Sequence, residues 1–430
     1  MTGGAARARG LGAEFHRLWA AGALSAAGDG VTLAAAPLLM VRLTSDPLVV
    51  AGAVFAQQVP WLLFSLISGV YVDRLDRRKL VVLVNLARAV LIGALAAAVW
   101  TGSVGVLTVY TALFLLGTAE TLADGAARAL VVGSVAPDDL TRANSRVSGA
   151  AVVGSQLIAP SLGVWLFLQG AGLPFAFDAA TFLVAVALVL RLRPRQGVAR
   201  PRRSLGADVR TGVRTILGHP ALRLLTFSLC LMNATFAAIA AIFVLYTRQR
   251  LGLSDSGYGL LLSVGAVGGV AGAVAAPAVQ RRLGDAAVLR IGLLVECCAP
   301  AAFAAVRQPW LAACVMALFG AHTVVWAVVA TTLRQRALPD ALYGRANSVH
   351  MALGVGGSAA GALLGGLCAR GLGVTGPLWC ACAAMTVFTA VTWSRFSAGT
   401  LSLPGVPDPD LPPPTPPTSG RTDDHHARTA

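Results

Sequence analysis

The sequence predicts an all-α membrane protein whose twelve transmembrane helices form two pseudo-symmetric six-helix bundles. Three observations lead to this fold class: the composition, a series of long apolar stretches and one internal repeat. Of the 430 residues, 56% are hydrophobic and only 12% are charged, about half the charged share of a soluble domain. Because about 20 helical residues cross a hydrocarbon core of roughly 30 Å, each long apolar stretch with few charges predicts one crossing.

Apolar stretches of this kind follow one another along almost the whole chain. The first contains Asp29 and Arg42, is too long for a secretory signal peptide and is followed almost at once by another stretch. We therefore interpret every stretch as a membrane crossing and number them span 1 to span 12. The predicted spans are 17–42, 48–72, 80–100, 105–128, 144–168, 174–191, 221–247, 257–280, 286–306, 310–333, 347–370 and 376–396.

An internal repeat divides the spans into two equal halves. The segment "PDDLTRANSRV" (137–147) precedes span 5, and "PDALYGRANSV" (339–349) precedes span 11. Both copies thus occupy the same place in their half, and an even number of crossings puts them on the same side of the membrane. This pattern predicts a tandem duplication with parallel halves, which favours a carrier over a pore or a membrane-bound enzyme.

Composition shifts along the chain predict the organisation around the two bundles. The linker contains a helical pattern at 204–217 with one apolar face, which is typical of a helix on the membrane surface. The carboxyl-terminal segment is rich in Pro and poor in large apolar residues, so we expect disorder there. The predicted divisions are a cytoplasmic tail 1–16, a first bundle 17–191, a cytoplasmic linker 192–220, a second bundle 221–396 and a disordered cytoplasmic tail 397–430.

The formal net charge of +15 is explained by membrane topology. If the amino terminus is cytoplasmic, most Lys and Arg lie in the tails, the linker and the even-numbered turns, which is the positive-inside distribution. This distribution excludes nucleic acid as the reason for the basicity. All seven cysteines fall within predicted spans, with no zinc spacing or disulfide framework.

The turn after span 2 carries a recognisable motif, "GVYVDRLDRR". Gly69, Asp73, Arg74, Arg77 and Arg78 match the form G-x-x-x-D-R-x-x-R-R/K. With twelve spans, this motif resembles the signature of the major facilitator superfamily, and the resemblance covers essentially all of the spans. The position usually held by a second Gly is Asp76, a departure that we expect to affect turn geometry more than mechanism.

Finer features resemble one exporter branch of that superfamily. The stretch "SAAGDGVTLAAAPLL" in span 1, "DRLDRRKL" after span 2 and the two repeat copies are similar to the enterobactin exporter and macrolide-efflux proteins. The stretch "APSLG" (159–163) partly matches the G-P-x-x-G motif that antiporters of the superfamily carry in span 5. Small residues in span 11, "GSAAGALLGG", are typical of closely packed helices.

The resemblance implies roles for two groups of residues. Asp73 would engage the amino-terminal end of a helix in the other half when the cytoplasmic side is closed, with Arg74, Arg77 and Arg78 in support; the alternative is that this basic turn only fixes orientation. Spans 1, 4, 7 and 10 line the central cavity in this superfamily. The substrate-cavity candidates are therefore Asn233, Thr235, His322 and Trp326, with core packing as the alternative for the last two.

Ionisable residues inside spans are costly and mark transport pathways, proton relays or paired sites. The proton-coupling candidates are Asp29, Glu120, Asp124 and Glu296, because a desolvated carboxyl can exchange protons near neutral pH. Asp29, beside two glycines in span 1, is the first choice, against a structural hydrogen bond to a neighbouring helix. Glu120, Asp124 and Arg128 follow one helix face, so a structural ladder or a gate is the alternative there.

Three arginines are assigned to the cytoplasmic rim: Arg128, Arg142 and Arg345. Arg142 and Arg345 belong to the repeated tetrad and precede Asn144 and Asn347. Paired Asp–Arg contacts at the cytoplasmic rim are the functional interpretation. The alternative is helix capping combined with positive-inside charge.

Together these features predict a secondary active transporter rather than an enzyme. We expect proton-coupled efflux of a drug, a siderophore or another amphipathic metabolite by a monomer in a bacterial plasma membrane. No ATP-binding P-loop, metal-ligand set or catalytic constellation is present in the sequence, so the expected energy source is the proton gradient and no cofactor is implied. Two alternatives are an importer or facilitator of a small neutral nutrient and a non-transporting receptor or scaffold on the same fold.

Overall fold

The computed structural model describes residues 11–74, 76–136, 139–192 and 205–401; the side chains of 65–74 and of a few isolated helical residues lie outside this description. Across these ranges the chain is almost entirely helical and contains no β-strand. The helices run over Gly12–Leu43, Pro47–Arg74, Arg77–Trp100, Val106–Ser134, Leu140–Val152, Ala159–Gln169, Leu173–Leu190, Leu205–Gly218, Pro220–Ala240, Phe243–Gln249, Asp255–Leu283, Asp285–Ala305, Pro309–Ala337, Asp340–Leu372, Gly376–Thr392 and Ala398–Leu401.

Within the described residues, eleven helices are long and apolar enough to cross a membrane. Span 5 is the exception, because its path is divided: a π-helical turn, Val153–Ile158, joins the helices Leu140–Val152 and Ala159–Gln169. Pro160 follows directly and cannot donate a backbone N–H to the preceding turn, which accounts for a wide turn at this point. All twelve predicted spans are thus represented, giving the expected all-α architecture.

Span 7 differs from the single predicted helix 221–247. Its helix Pro220–Ala240 stops, and a short helix, Phe243–Gln249, follows at a new angle. The break allows Phe243 and Tyr246 to pack edge-to-face against Phe303 of span 9, and the Tyr246 hydroxyl donates a hydrogen bond of 2.7 Å to the Phe303 carbonyl. Burial of these aromatic rings outweighs continuity of the helix.

Both predicted tails need correction where they are described. Residues 12–16, predicted as tail, already belong to the first helix, and Phe15 is fully buried. Ala398–Leu401, predicted as disordered, forms a helical turn beside the fully buried Phe396. In each case a large apolar side chain finds a packing partner in the bundle. Residues 1–10, the first part of the linker (193–204) and most of the carboxyl-terminal tail (402–430) lie outside the described residues.

Small residues bring spans 7 and 11 into close contact, as the stretch "GSAAGALLGG" predicts. A Cβ added at Gly357, Gly361 or Gly365 would lie 2.0–2.3 Å from the carbonyl oxygens of span 7. Those oxygens belong to Cys230, Ala234 and Ala238. The four-residue spacing keeps all three glycines on one helix face, so the two backbones touch along about three turns.

Buried apolar clusters reveal an asymmetry between the two ends of the bundle. One cluster is continuous across the halves and includes Leu39 and Phe167 of the first half with Phe243 and Leu378 of the second. At the other end, the buried clusters of the described residues are confined to one half each or to the second half with the linker. We call the first end the closed side and the end with the linker the open side.

Contacts between the halves are concentrated towards the closed side. Spans 2 and 11 meet where a Cβ at Gly366 would lie 2.7 Å from Ala51 Cβ. Spans 5 and 8 meet where the hydroxyls of Ser161 and Ser263 are 2.5 Å apart. These contacts hold the halves together at one end, whereas at the open side the described residues form no buried apolar cluster that both halves share.

The helix Leu205–Gly218, called the linker helix below, packs on the open-side end of span 11. Its bounds agree with the helical pattern at 204–217, and its place on the membrane surface stays a prediction. Asp208 Oδ1 lies 2.9 Å from Arg345 Nε, and a Cβ at Gly212 would lie 2.5 Å from the Arg345 carbonyl oxygen. The absence of a side chain at Gly212 therefore permits this close approach.

Candidate functional site

Asp29 lies in span 1 at the point where this helix is packed most closely against two neighbours. A Cβ at Gly28 would lie 2.3 Å from Asp178 Oδ1 of span 6, and one at Gly30 would lie 2.6 Å from the Ser155 carbonyl oxygen of span 5. The two glycines therefore bring spans 5 and 6 against span 1 on both sides of Asp29. The sequence "GDG" encodes this packing.

The partner of Asp29 is Arg88 of span 3. Arg88 Nη2 donates to Asp29 Oδ1 at 2.5 Å, and the Arg88 side chain is 3% exposed compared with 28% for Asp29. The guanidinium also lies over the Phe182 ring of span 6, 4.1 Å from the ring centroid. A cation that is buried this deeply needs an anionic partner, so the structural hydrogen bond considered for Asp29 is present as an ion pair.

Asp178 is a site residue that the sequence interpretation did not select. It was placed near an end of span 6, yet it is completely buried, and its Oδ2 accepts a hydrogen bond of 2.6 Å from Thr32 Oγ1 of span 1. Asp178 also interacts electrostatically with Asp29 and Arg88. Asp178 and Phe182 are four residues apart and therefore share one face of span 6. Because Arg88 lies over Phe182, this spacing is the sequence signal for the position of Asp178 beside Arg88.

Glu120 joins the same cluster from span 4. Trp61 Nε1 of span 2 donates to Glu120 Oε2 at 3.2 Å, and Glu120 interacts electrostatically with Asp29 and Arg88. The cluster, defined here as Asp29, Arg88, Glu120 and Asp178, therefore contains three carboxyl groups and one guanidinium. Because uncompensated charge inside a membrane is costly, the cluster is suited to holding protons.

Asp124 has an ion pair of its own, although it also interacts electrostatically with Asp29 and Glu120. Arg128 Nη2 lies 2.5 Å from Asp124 Oδ2, as the spacing of four residues predicts. Both side chains are exposed, and they lie towards the open-side end of span 4. Such exposed pairs contribute at most about 1 kcal/mol. The coupling role of Asp124 and the rim role of Arg128 both stay predictions.

Glu296 of span 9 forms a second buried pair, with His322 of span 10. Glu296 Oε1 and His322 Nε2 are 3.2 Å apart, and both side chains are less than a tenth exposed. Gly292 makes room for this pair, because a Cβ there would lie 2.8 Å from His322 Cε1. Glu296 and Arg88 occupy equivalent positions in the third helix of their halves, so the duplication has placed ionisable groups of opposite charge at one repeated site.

Three of the substrate-cavity candidates are buried in this state. His322 is turned towards Glu296, and Trp326 is 4% exposed against span 9. The Thr235 hydroxyl bonds to carbonyls of its own helix at 3.0 and 3.1 Å, while the partly exposed Asn233 approaches span 11 near Gly354. The alternative of core packing therefore describes His322 and Trp326 here, and substrate contact at all four residues stays a prediction.

The motif after span 2 is described only in its second part. Gly69, Asp73 and Arg74 lie on the last turns of span 2 with side chains outside the description, so the contact of Asp73 with the other half stays a prediction. Arg77 begins the helix of span 3, and Arg78 donates to the carbonyls of Val189 and Leu190 at the end of span 6. These bonds tie spans 3 and 6 together on the open side.

Asp76, the departure from the motif, has a structural role. Its carboxylate accepts hydrogen bonds from the backbone N–H groups of Arg78 and Lys79, at 2.9 and 3.2 Å. It thus caps the amino-terminal end of span 3. Its φ of −61° is open to any residue, so a glycine is not required here.

The two repeated tetrads have different surroundings. Arg345 pairs with Asp208 of the linker helix, and Asn347 Oδ1 accepts from Arg334 Nη1 at 2.9 Å. Arg142 and Asn144 of the first tetrad are exposed. The repeat therefore places equivalent residues on the open side, but in this state only the second copy lies against the linker helix.

A groove of about 620 Å³ lies between spans 2, 4 and 11. Its lining is almost wholly apolar and includes Phe55, Phe114 and Leu363. Tyr110, one of its few polar members, donates its hydroxyl to the Val49 carbonyl at 2.5 Å. The groove can therefore accept an apolar group but offers few polar partners.

The fold agrees with what comparison with known proteins finds. Residues 11–401 match the family described as transmembrane secretion effector, whose members are transporters of the major facilitator superfamily. The chain belongs to this family. It is a membrane transporter rather than an enzyme, which leaves its substrate, direction and energy source to be inferred.

Related transporters of bacteria are identical to it at about a quarter of the aligned residues. An uncharacterised MFS-type transporter of Sinorhizobium fredii is 26% identical over 84% of this transporter and 87% of its own length. One of Mycobacterium tuberculosis is 27% identical over 79% of this transporter and 81% of its own length. These relatives span both halves, so the whole two-bundle architecture is shared.

Solved structures support the same fold. A point variant of the nucleoside transporter NupG superposes with a TM-score of 0.74 at 14% identity, covering 89% of this transporter and all of that chain. A bacterial homologue of the iron transporter ferroportin in its inward-facing state gives 0.71 at 19% identity, covering 89% and 98%. The outward-facing state of such a homologue gives 0.60 at 19% identity, covering 89% and 99%.

Proposed function

We propose that this transporter exports an amphipathic small molecule from the cytoplasm of a bacterium in exchange for protons, with Asp29 as a coupling group. The single observation that carries the proposal is the Asp29–Arg88 ion pair between spans 1 and 3, with Glu120 close by. Asp29 retains 28% exposure, so solvent can reach one member of an otherwise buried pair.

The physical basis is the cost of unpaired charge in a membrane. A proton on Asp29 would leave the Arg88 cation without its hydrogen-bonded anion, and a charged group at the membrane centre costs about 2.5–3.5 kcal/mol or more. Protonation therefore changes the stability of the present packing by several kcal/mol. A coupling ion acts in this way, because it must favour one of the two states by differential affinity.

The orientation proposed for the transporter follows from its charges. Few basic residues lie near the closed side, whereas most of the others lie in the turns, tails and linker of the open side, as the positive-inside distribution predicts for the cytoplasm. The termini would then be cytoplasmic and the present structure would be inward-facing. The closed-side basic residues are Arg42, Arg248, Arg250, Arg307 and Arg370.

Export of an amphipathic substrate has two supports. The family is described as a secretion effector, which favours outward transport, and the groove between spans 2, 4 and 11 is apolar enough for a hydrophobic moiety. The solved neighbours are named for nucleosides and for iron, so the shared fold by itself does not select a substrate.

The test is a proton-flux assay in inverted bacterial membrane vesicles. The vesicles are energised, their internal acidification is followed with a pH-sensitive dye, and ethidium, a macrolide and a catechol siderophore are added in turn as probes. We expect at least one probe to release protons from vesicles that contain the transporter. We expect Asp29→Asn to abolish this release.

A matched control is Asp255→Asn, which removes the carboxylate of another Asp–Arg pair, 2.5 Å from Arg248, near the closed side. This variant should leave proton release within about twofold of the wild type. A probe whose transport continues unchanged when the proton gradient is collapsed, or that moves equally well with Asp29→Asn, would contradict proton coupling and favour a facilitator.

A further inference from the structure

We infer that Asp178 holds a proton in the present state and that Asp29 and Asp178 exchange Arg88 as their common partner. The inference rests on the proposed proton coupling for its role in transport. It concerns the three groups that spans 1, 3 and 6 bring together: Asp29, Arg88 and Asp178. Their contacts show how one guanidinium is shared between two carboxyl groups.

The first step is the environment of Asp178. This side chain is completely buried, and its carboxyl group lies against the backbone of span 1 at Gly28. Thr32 Oγ1 supplies one hydrogen bond, at 2.6 Å from Oδ2. The cation nearest in the cluster is already paired with Asp29. Thr181 Oγ1 of the same helix adds a longer contact of 3.4 Å to Oδ1. An ionised carboxylate in this position would be desolvated with these two hydroxyls as its compensation, so the neutral acid is favoured.

The second step is the set of charged groups that face Asp178. Span 1 contributes Asp29, span 3 contributes Arg88, and Glu120 of span 4 acts through the same guanidinium. The segment of span 5 that packs against span 6, Ala159–Gln169, contains no ionisable side chain. Other cations of spans 1 and 3 lie towards the helix ends, and Arg88 is the one cation among the described residues that interacts electrostatically with Asp178.

The third step is the position of Arg88. Its guanidinium stacks on Phe182, which lies one helical turn from Asp178 on the same face of span 6. Arg88 Nε is buried and has no hydrogen-bond partner among the described residues. The guanidinium therefore has an unused donor while it lies on the helix that carries Asp178, and a change of side-chain rotamer would transfer it from one carboxyl to the other.

The exchange conserves protons and charge. In the present state Asp29 is ionised and bound to Arg88, while Asp178 carries the proton. In the alternative state the proton has passed to Asp29, Asp178 is ionised, and Arg88 is bound to it. The net charge of the three groups is zero in both states, so the membrane interior never contains an uncompensated charge. The proton moves from fully buried Asp178 to partly exposed Asp29.

Infrared spectroscopy of the purified full-length transporter in nanodiscs tests this exchange without a substrate. Carboxyl-labelled aspartate distinguishes the C=O stretch of a protonated aspartic acid from that of a glutamic acid. Near neutral pH we expect one band of a buried protonated aspartic acid, and this band should be absent from Asp178→Asn.

Thr32→Val should shift this band to higher frequency because the acid loses its hydrogen bond. The matched control Thr118→Val, whose hydroxyl bonds to the Phe114 carbonyl in the same half, should leave it in place.

Two further variants separate partner exchange from simple burial. With Asp29→Asn, Arg88 loses its anion and should pass to Asp178, so the protonated-aspartate band should disappear. With Arg88→Gln, both aspartates lose their cation and the band should become about twice as intense. Gel filtration and helical circular dichroism establish that each variant is folded.

Each alternative outcome overturns the inference. A band that survives in Asp178→Asn, or that does not respond to Thr32→Val, would place the proton elsewhere. A Thr32-sensitive band that persists in Asp29→Asn would show that Arg88 does not change partners. If the infrared bands behave as expected but no probe releases protons in the vesicle assay, the proposed function is refuted and the charge exchange stands.

Discussion

Arg370 Nε at the end of span 11 lies 3.6 Å from Asp46 Oδ2 in the turn between spans 1 and 2. This ion pair joins the two halves at the closed side. Because Arg370 is 61% exposed, we expect the pair to contribute at most about 1 kcal/mol. Arg370→Gln should therefore shift the equilibrium towards opening at the closed side by up to about fivefold.

The measurement is the distance distribution between spin labels placed on the closed-side ends of spans 2 and 11. Arg370→Gln is preferable to a change at Asp46, since Asp46 also accepts a hydrogen bond from the Leu48 backbone N–H at 2.9 Å. Arg307→Gln is the control and should leave the distance distribution unchanged. If Arg370→Gln also leaves the distribution unchanged, the ion pair does not hold this side closed.

Gly28→Ala should destabilise the first bundle. The added methyl group would lie 2.2 Å from Thr181 Oγ1 and 2.3 Å from Asp178 Oδ1, so spans 1 and 6 would have to separate. Overpacking of this kind costs about 1–3 kcal/mol. Thermal unfolding in detergent measures the effect, and Gly22→Ala in the same helix is the matched control because its Cβ meets no atom within 4 Å. Equal melting temperatures for both variants would contradict the predicted close packing.

The Glu296–His322 pair should behave as one unit. Removing either partner leaves the other buried without its hydrogen bond, which costs about 1–3 kcal/mol. Glu296→Leu and His322→Leu should each lower the free energy of unfolding by that amount, whereas the double variant should lose much less than the sum of the two. Chemical denaturation measures the free energy of unfolding of the wild type, the two single variants and the double variant. Strictly additive losses would show that the two residues do not interact.

Gly212→Leu should release the linker helix from span 11. Its side chain would collide with the Arg345 carbonyl oxygen, 2.5 Å from the Cβ position, so the contact between Asp208 and Arg345 would be lost. We expect trypsin to cleave the linker several times faster, as measured by gel densitometry. Gly218→Leu is the control, since no atom lies within 4 Å of that Cβ position. Equal cleavage rates would indicate that the linker helix is not held by this contact.

The predicted fold agrees with the structure because its signals are local. The span limits follow from hydrophobicity, whereas the break in span 7 depends on Phe303, which is distant in sequence from Phe243. The limits of the tails were wrong for a similar reason: Phe15 and Phe396 are buried by residues from other helices. A window of sequence contains no information about such partners.

The candidate site was only partly predictable. Asp29, Glu120 and Glu296 stand out as ionisable residues in apolar helices, and the spacing of Asp124 and Arg128 indicates their ion pair directly. The partners of the first three residues come from other helices: Arg88, Trp61 and His322. By its position in the sequence, Asp178 lies near an end of span 6. Its burial depends on the packing of span 6 against span 1.

By itself, the sequence determined that this chain crosses the membrane many times, that it contains two related halves and which side collects the basic residues. Hydrophobicity, the repeat and charge distribution act within short segments, so they can be read without knowing the contacts. The tertiary structure alone decided which buried charges meet and which end of the bundle is closed. Those properties depend on how helices distant in sequence approach one another, and glycines such as Gly28 determine that approach only when their neighbours are in place.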